Sequence, residues 1–403
     1  MRGLFILGAI AAAAAPASAA EPVCPATPPM CASLPNPIYI QAGDTQQNLL
    51  KRLGRALRDN TGHEMTLVFF LSGSCSNTDN FYHHSAPWGS TTKTLYIPSM
   101  AEDPGWLPSN AECPCTATAG TLPDIGNSAT FVSSCTTEAP PATVTLINGP
   151  TQAYVMAVPK ASSQTALTYE EAYFVFGFGM LGMVQPWIDE TEMFIRTITK
   201  STLLTWAANI GVPANKWKGT MFAASSDVVS HLQNASNPEA AIGILGAEVY
   251  DADRSFLTEL AFRAKDQYAA YFADSTSTSF DKQNVRDGHY TVWAPTVWMY
   301  NTDGAGNAVS ADAKFVIDLI SGHAVANPPN FDPTTIVARV GLVPDCAMRV
   351  QRDFDGGPLR LYKPSISCTC KYLSDVDISP CDTCDAQTPC SIGVCRAGYC
   401  EEF

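Results

Sequence analysis

The sequence predicts an α/β fold of two lobes that meet at a cleft, followed by a small disulfide-rich extension. Three observations predict it. Apolar, strand-like runs alternate with polar turns and helix-like runs, which is typical of a mainly parallel sheet. Residues 194–212 have this strand, turn and helix pattern, with Lys200 in the turn. Residues 281–295 have an Arg-Asp-Gly turn and an alternating run closed by Pro295, which predicts a strand that returns to the first lobe.

The N-terminal segment has the features of a cleaved export signal. Arg2 provides a short basic region, residues 3–15 are apolar or small, and Ala17-Ser18-Ala19 is a cleavage signal, so we assign residues 1–19 to a signal peptide. Cys24 lies too far from the cleavage point for a lipoprotein. A periplasmic or secreted protein without membrane insertion is therefore expected, with a Pro- and Cys-rich leader at residues 20–35.

Composition narrows the class of partner. A chain of 403 residues with 46% hydrophobic residues exceeds one typical domain and can bury two cores. Its formal net charge of −14 makes nucleic acid a poor partner, because the phosphate backbone would be repelled. A small anion is not excluded, since backbone N–H groups at a helix N-terminus can hold one locally.

Fourteen cysteines behind an export signal indicate disulfides, whose connectivity the sequence does not determine. Cys24 and Cys31 could staple the leader to itself, and zinc is the alternative for Cys381-x-x-Cys384 and the two C-x-C pairs. The full set of candidates is Cys24, Cys31, Cys75, Cys113, Cys115, Cys135, Cys346, Cys368, Cys370, Cys381, Cys384, Cys390, Cys395 and Cys400.

The first lobe is expected to comprise residues 36–147 and 283–345. A strand at 38–42 leads into a helix that carries its leucines on one face, at Leu49, Leu50, Leu53 and Leu57. A second strand at 66–71 ends in a polar loop, residues 72–77. A helix at 312–320 follows the return strand.

The second lobe is expected to comprise residues 148–282. Runs at 144–150 and 154–159 are interpreted as the crossing into it. A helix at 168–176 with Thr168 as N-cap, helices at 203–210 and 226–235, and strands at 241–245 and 256–262 complete it. Residues 346–403 are expected to form a disulfide-stapled tail, because too few apolar residues remain there for a core.

Several motifs favour a structural interpretation. Gly177–Gly182 fits G-x-G-x-x-G, but a helix precedes it, so a helix C-cap and turn are expected. The His83-His84 pair is assigned to a solvated loop. His289 with Asp287 could form part of a catalytic triad, yet a structural role is favoured. The sequence therefore predicts neither an enzyme nor a cofactor.

Four polar turns at strand ends form the candidate site. Each Ser or Thr in them could simply cap a helix, which is the commonest use. Together, in a two-lobed layout, they predict donors aimed into a cleft at the carboxyl ends of the strands. The candidate ligand-binding residues are Asp44, Thr45, Gly73, Ser74, Ser128, Arg196, Lys200, Ser201 and Thr202.

The chain resembles the type II periplasmic solute-binding proteins, in particular the phosphate-binding branch of ABC importers. The resemblance lies in TYEEAYFVFGFGMLGMVQPWID, in FIRTITKST, which is similar to the Arg-x-x-x-Ser-Gly-Thr anion turn of the family, and in NPEAAIGILGAEVY. It covers roughly residues 36–320 and implies a Venus-flytrap fold in which two lobes close on phosphate or a related oxyanion. It also implies a monomer that can engage an ABC permease.

The departures fall at the ligand positions. Asp44 stands where the family has serine, Ala129 replaces its acidic proton acceptor, and Lys200-Ser201-Thr202 replaces Ser-Gly-Thr. Asp44 would repel an oxyanion unless Lys200 offsets it, and an Asp44–Lys200 pair would suit a zwitterionic or neutral ligand. The alternative function is a degenerate flytrap scaffold that acts as a secreted interaction protein through its Cys-rich tail.

Overall fold

A computed structural model of the protein describes residues 24–365, 367–378 and 381–401, so the expected signal peptide lies outside the described residues. The strands are β1 (Pro37–Gly43), β2 (Thr66–Ser72), β3 (Thr94–Tyr96), β4 (Cys113–Cys115), β5 (Ile125–Ser128), β6 (Val144–Pro159), β7 (Ala166–Thr168), β8 (Met193–Arg196), β9 (Thr220–Phe222), β10 (Ile242–Gly246), β11 (Leu257–Glu259), β12 (Ala261–Arg263), β13 (Trp293–Asn301), β14 (Val350–Gln351), β15 (Arg360–Leu361), β16 (Val394–Arg396) and β17 (Tyr399–Glu401). The helices are α1 (Gln47–Arg58), α2 (Ser74–His83), α3 (Tyr169–Phe178), α4 (Ser201–Ile210), α5 (Ser225–Gln233), α6 (Ala247–Asp253), α7 (Gln283–Asp287), α8 (Ala311–Ser321), α9 (Pro333–Arg339) and α10 (Thr369–Asp375).

One continuous sheet runs through both halves of the described chain. Its strand order is β4-β3-β2-β1-β5-β13-β6-β10-β8-β9, with β11 added beside β6. In the first half, β5, β1 and β2 are parallel, and in the second half β10, β8 and β9 are parallel. Parallel strands place their carboxyl ends at a common edge, so each half gathers the turns that follow its strands.

The two long strands β6 and β13 join the halves. They pair antiparallel, with a register shift between Pro295 and Val297. Two expectations are corrected here. The runs at 144–150 and 154–159 are one uninterrupted strand, because Thr151–Ala153 continue the pairing with β13. Pro295 does not end the return strand, because it lies at the shift in the register of pairing, a kind of irregularity at which a sheet tolerates proline.

Two apolar cores lie on this sheet. The first is built from β1, β2, α1, α8 and α9, and the four predicted leucines of α1 are all buried in it. The second is built from β6, β8, β10, α3, α4 and α5. Ala347, Met348, Val350 and Tyr372, which belong to the predicted tail, are buried in this second core, so that segment packs on the sheet.

Local signals specify the helix ends well. Thr168 caps α3 as predicted, and it does so in a capping box, because its hydroxyl accepts from the N–H of Glu171 and the Glu171 carboxylate accepts from the N–H of Thr168. Gly179 terminates α3 at φ 55°, as the C-cap interpretation predicts. The expected polar loop at residues 72–77 is wrong, because α2 already begins at Ser74. The expected strand at 256–262 is two strands, β11 and β12.

All fourteen cysteines form disulfides, and the expectation that Cys24 and Cys31 pair with each other is wrong. Both reach instead into β4, which clamps the leader onto the edge of the sheet. The zinc alternative is therefore not needed for these sulfur atoms. The pairs are Cys24–Cys113, Cys31–Cys115, Cys75–Cys135, Cys346–Cys368, Cys370–Cys381, Cys384–Cys395 and Cys390–Cys400.

The cysteine-rich end is also held by hydrogen bonds. The buried carboxylate of Glu401 accepts from the N–H groups of Cys370 and Lys371, both at 3.0 Å, and thereby caps the start of α10. Within the described residues, no helix has the length and apolar character needed to cross a membrane.

Candidate functional site

The fold brings the polar turns of both halves to one crevice. In the first half, Asp44 follows β1, Ser74 follows β2 and Ala129 follows β5. In the second half, Lys200 follows β8 and Ser225 follows β9. Contacts cross between these two groups of turns, so the crevice lies between the carboxyl ends of the two sets of parallel strands.

The carboxylate of Asp44 reaches across the crevice into the second half. One oxygen accepts from Arg196 Nη2 at 2.9 Å and from the N–H and hydroxyl of Ser225 at 3.0 and 2.9 Å. The other accepts from Arg196 Nη2 and Lys200 Nζ, both at 3.1 Å. The N–H of Ser225 belongs to the first turn of α5, where the helix dipole favours negative charge. We call these residues the anion turn: Arg196, Lys200 and Ser225.

The electrostatics of this contact favour ionised Asp44. Burial alone would raise the pKa of Asp44, but the charges of Arg196 and Lys200 and two hydrogen bonds from Ser225 outweigh it and hold the pKa at about 2. Burial, opposed by Asp44, lowers the pKa of Lys200. The predicted Asp44–Lys200 pair therefore exists in the structure. Asp44 also pairs with Arg196, which is fully buried and whose charge lowers the pKa of Asp44 more than that of Lys200 does.

Further contacts close the crevice around the anion turn. Lys200 Nζ donates to the carbonyl of Ser72 at 2.8 Å, and the N–H of Cys75 donates to the carbonyl of Thr199 at 3.1 Å. Gly73 lies so close to the second half that a Cβ on it would be 2.5 Å from Thr199 Oγ1. Any larger residue at position 73 would therefore separate the two halves.

The remaining predicted donors have partners inside the protein. Ser74 Oγ accepts from the N–H of Ala129 at 3.1 Å, and Ser128 Oγ donates to the carbonyl of Thr130 at 2.8 Å. Ser201 hydrogen-bonds with the Tyr154 hydroxyl. Thr45 Oγ1 accepts from Gln46 Nε2 at 3.4 Å. The structure thus brings Asp44, Arg196 and Lys200 into one cluster, while these four hydroxyls are engaged elsewhere.

Thr202 differs from the other predicted donors, because its hydroxyl is buried and has no partner in the described part of the chain. Thr130 provides a matched contrast, since its buried hydroxyl donates to Asp355. We expect Thr202→Val to raise the free energy of unfolding by about 1 kcal/mol and Thr130→Val to lower it by about 1 to 3 kcal/mol. Urea unfolding of both variants checks this. Equal losses in the two variants would contradict it.

The sequence pattern does not identify two side chains that contact both halves of the molecule, Ser225 and Asp355. Ser225 carries only the weak signal of a serine before a helix-like run. Asp355 carries none, yet it is buried between the halves and accepts hydrogen bonds from Thr130 and Ser134 of the first half. It also accepts from Thr205 of α4 at 3.4 Å. Asp355 is therefore a second carboxylate that joins the two halves.

A cavity of about 390 Å³ opens beside Asp44 and Ser225 and extends to Glu248. Glu248 is buried, and burial raises its pKa to about 8 even though Gln152 donates a hydrogen bond to its Oε2. Its Oε1 has no hydrogen-bond partner among the described residues. The crevice therefore continues past the anion turn toward an unpaired carboxyl oxygen.

The histidines lie away from the crevice contacts. His83 is in the last turn of α2, not in a loop, and contacts Asp79 and Glu138. His289 stacks on Tyr271 at a centroid distance of 5.0 Å, which fits the structural role expected for it. Asp287 pairs with Arg349 at 3.0 Å and not with His289.

No protein-family model matches this sequence, and no curated protein matches it. Among solved structures, one described as a phosphate ABC transporter substrate-binding protein with bound phosphate, from Clostridium perfringens, is similar with a TM-score of 0.51. The similarity covers 77% of this chain and 99% of that chain at 12% identity. An ABC-type phosphate transport receptor from Vibrio cholerae covers 77% and 100% at 12% identity, with a TM-score of 0.48.

At 12% sequence identity, the similarity is evidence for the fold alone. In this chain two sets of parallel strands, joined by the long strands β6 and β13, face each other across a crevice, and the similarity to the Clostridium perfringens structure extends over 77% of the chain. The chain has the type II periplasmic-binding-protein fold.

Proposed function

We propose that this protein is an exported, non-enzymatic solute-binding protein that captures phosphate or a related small oxyanion between two hinged lobes. The lobes are residues 36–147 with 283–345, and residues 148–282. The observation that carries the proposal is the anion turn, which holds the two oxygens of Asp44 through Arg196, Lys200 and both donor groups of Ser225. Seven disulfides support an oxidising, extracytoplasmic compartment.

The anion turn has the chemistry that an oxyanion requires. A guanidinium, an ammonium and a helix N-terminus converge on two oxygens at hydrogen-bond distance. Asp44 therefore acts as an internal oxyanion. Opening of the lobes withdraws Asp44, which belongs to lobe 1, and leaves Arg196, Lys200 and Ser225 of lobe 2 facing solvent. The solute then takes the position of the carboxylate, and closure encloses it between the lobes with the Asp44 side chain displaced.

Asp44 sets the affinity of this capture. A tethered carboxylate has a high effective concentration at the anion turn, so a free oxyanion must compete with it. The unaltered protein therefore needs more solute than a flytrap whose anion turn is vacant in the closed form. An ABC permease that accepts the closed, liganded monomer is part of the proposal.

The test is a thermal-melt and calorimetric comparison of wild type and Asp44→Asn with phosphate, sulfate and molybdate. Asparagine keeps the shape of the side chain and removes the competing charge. We expect the phosphate dissociation constant of Asp44→Asn to be at least tenfold lower than that of wild type. At a phosphate concentration of a hundred times the dissociation constant, the added stability should be about 2.7 kcal/mol. Further substitution of Lys200 by Gln should abolish the effect.

Asp353→Asn is the matched control, because Asp353 is an exposed carboxylate that pairs with Arg360 outside the crevice. It should respond to phosphate as wild type does. If no oxyanion stabilises either wild type or Asp44→Asn, oxyanion capture is overturned. That result would leave the flytrap scaffold that acts through its Cys-rich tail.

A further inference from the structure

A second cavity adjoins the one beside Asp44 and shares Asn48, Glu248 and Ala252 with it. Its volume is about 490 Å³, which is the size of a small-molecule site. Its wall combines α1 and the end of α9 with α6 and the end of α10. We call it the arginine crevice, because Arg52 and Arg339 both line it.

Arg52 and Arg339 share the arginine crevice with the carboxylate of Asp377, but neither guanidinium group pairs with an acid among the described residues. Both side chains line the same cavity, and burial together with the charge of Arg339 lowers the pKa of Arg52. Neither forms an ion pair or a hydrogen bond with any residue of the described ranges. Two acids of the wall, in contrast, are already paired: Asp251 with Arg254 and Lys282, and Asp375 with Lys371.

The hydrogen-bonding group for the other end of a ligand is the carboxyl group of Glu248, which an ammonium ion at Oε1 would favour in its ionised form. Its side chain lies on the second half of the molecule, is 4% exposed, and lines both cavities. Gln152 satisfies Oε2, while Oε1 has no partner in the described chain. A buried carboxyl oxygen without a partner destabilises the protein until a donor reaches it. An ammonium group is the donor that would be bound most strongly there.

We propose that the arginine crevice binds a small aminocarboxylate zwitterion, with its carboxylate against Arg52 and Arg339 and its ammonium group at Glu248. This site is separate from the anion turn and goes beyond oxyanion capture. Two unpaired guanidinium groups and one unpaired carboxyl oxygen match the two ends of such a ligand. Since Arg52 lies on α1 and Glu248 on α6, a zwitterion held at both ends would tie the two halves together.

The probe is 4-aminobutyrate, titrated by calorimetry into the oxidised protein alongside glycine and β-alanine. Butyrate and butylamine, which each keep one of the two charges, are the matched controls. We expect saturable binding of at least one aminocarboxylate and binding at least about tenfold weaker for butyrate and butylamine. Binding by none of the three aminocarboxylates at millimolar concentration would overturn the proposal.

Two variants test the residues. Arg339→Gln and Glu248→Gln should each weaken aminocarboxylate binding by about tenfold or more, while Arg349→Gln, an exposed arginine outside the crevice, should not change it. Arg339 is exposed, so its replacement keeps the test valid even if Glu248→Gln fails to fold. Aminocarboxylate affinity unchanged by Arg339→Gln would sink the proposal. Phosphate stabilisation of Asp44→Asn should survive Arg339→Gln, which separates this site from the anion turn.

Discussion

Arg196→Gln is expected to lower the free energy of unfolding by about 3 to 5 kcal/mol, because it leaves the carboxylate of Asp44 without its main partner. Arg196 is fully buried and donates to Asp44, to Ser225 and to the carbonyls of Phe222 and Ala223. Glutamine can replace only part of these hydrogen bonds and none of the charge. Equilibrium urea unfolding of the oxidised protein measures the loss.

The matched control is Arg349→Gln. Arg349 also pairs with an aspartate, at 3.0 Å from Asp287, but its side chain is 57% exposed. Solvent screens such a pair, and its removal should change stability by less than about 1 kcal/mol. Equal effects of the two substitutions would refute the view that burial makes the Arg196–Asp44 pair matter.

A double-mutant cycle isolates the interaction. Asp44→Asn removes the charge that Arg196→Gln would strand, so the double variant should lose clearly less stability than the sum of the two single variants. A coupling energy near zero would mean that Arg196 stabilises the protein through Phe222, Ala223 and Ser225 and not through Asp44. Since Asp44 lies on the first half and Arg196 on the second, the coupling measures how strongly this contact holds the crevice closed.

The fold and part of the site can be predicted from the sequence, because they depend on patterns within short segments of the chain. The strand-turn-helix pattern fixes which residues stand at the carboxyl ends of parallel strands, and that alone places Asp44, Lys200 and Arg196 at the crevice. The Asp44–Lys200 pair is accordingly among the outcomes that the sequence allows. Its stronger partner, Arg196, is placed by the same strand end, one residue before the turn starts.

Other parts of the site depend on contacts that no local pattern encodes. Asp355 meets Thr130 across 225 residues of sequence and comes from a segment that composition assigns to the tail. Ser225 follows β9, which has only three residues and is largely exposed, so the strand itself leaves a weak signal. The disulfide partners of Cys24 and Cys31 are set by the sheet edge at β4, which becomes apparent only after folding.

The crevice contains an acid whose titration should be visible in stability. Burial raises the pKa of Glu248 to about 8, with the charges of Asp44 and Asp251 adding to the effect. Glu259 behaves alike: burial and the charge of Asp274 raise its pKa to about 8. It is 1% exposed, and its Oε1 accepts from the N–H of Ala273 at 2.9 Å.

The direction of the pH dependence follows from proton uptake. In the unfolded chain both glutamates titrate near 4.5, so between about pH 5 and pH 8 the folded state binds more protons than the unfolded state. The stability that these groups provide is complete below the unfolded pKa and is lost as the pH rises through about 8. Asp44 acts in the opposite sense, because its pKa is lowered to about 2 in the folded protein. The stability that it provides is present above its unfolded pKa and is lost as the pH falls toward 2.

We therefore expect the free energy of unfolding to fall by several kcal/mol between about pH 5 and pH 8. One pKa unit corresponds to about 1.4 kcal/mol, which gives each glutamate an upper contribution on the order of 4 kcal/mol. Urea midpoints across this range measure the fall. Glu259→Gln should remove roughly half of it, because glutamine keeps the acceptor for Ala273 and does not titrate.

Glu170→Gln serves as the reference, because Glu170 is an exposed carboxylate whose only ion pair is with Arg263 in the described chain. Its pH profile should follow that of wild type. A wild-type profile that is flat or rises between pH 5 and pH 8 would show that the two buried glutamates are ionised in the folded protein. Glu248 would then carry a full negative charge beside Asp44, and the crevice would attract an ammonium group even more strongly than its neutral form does.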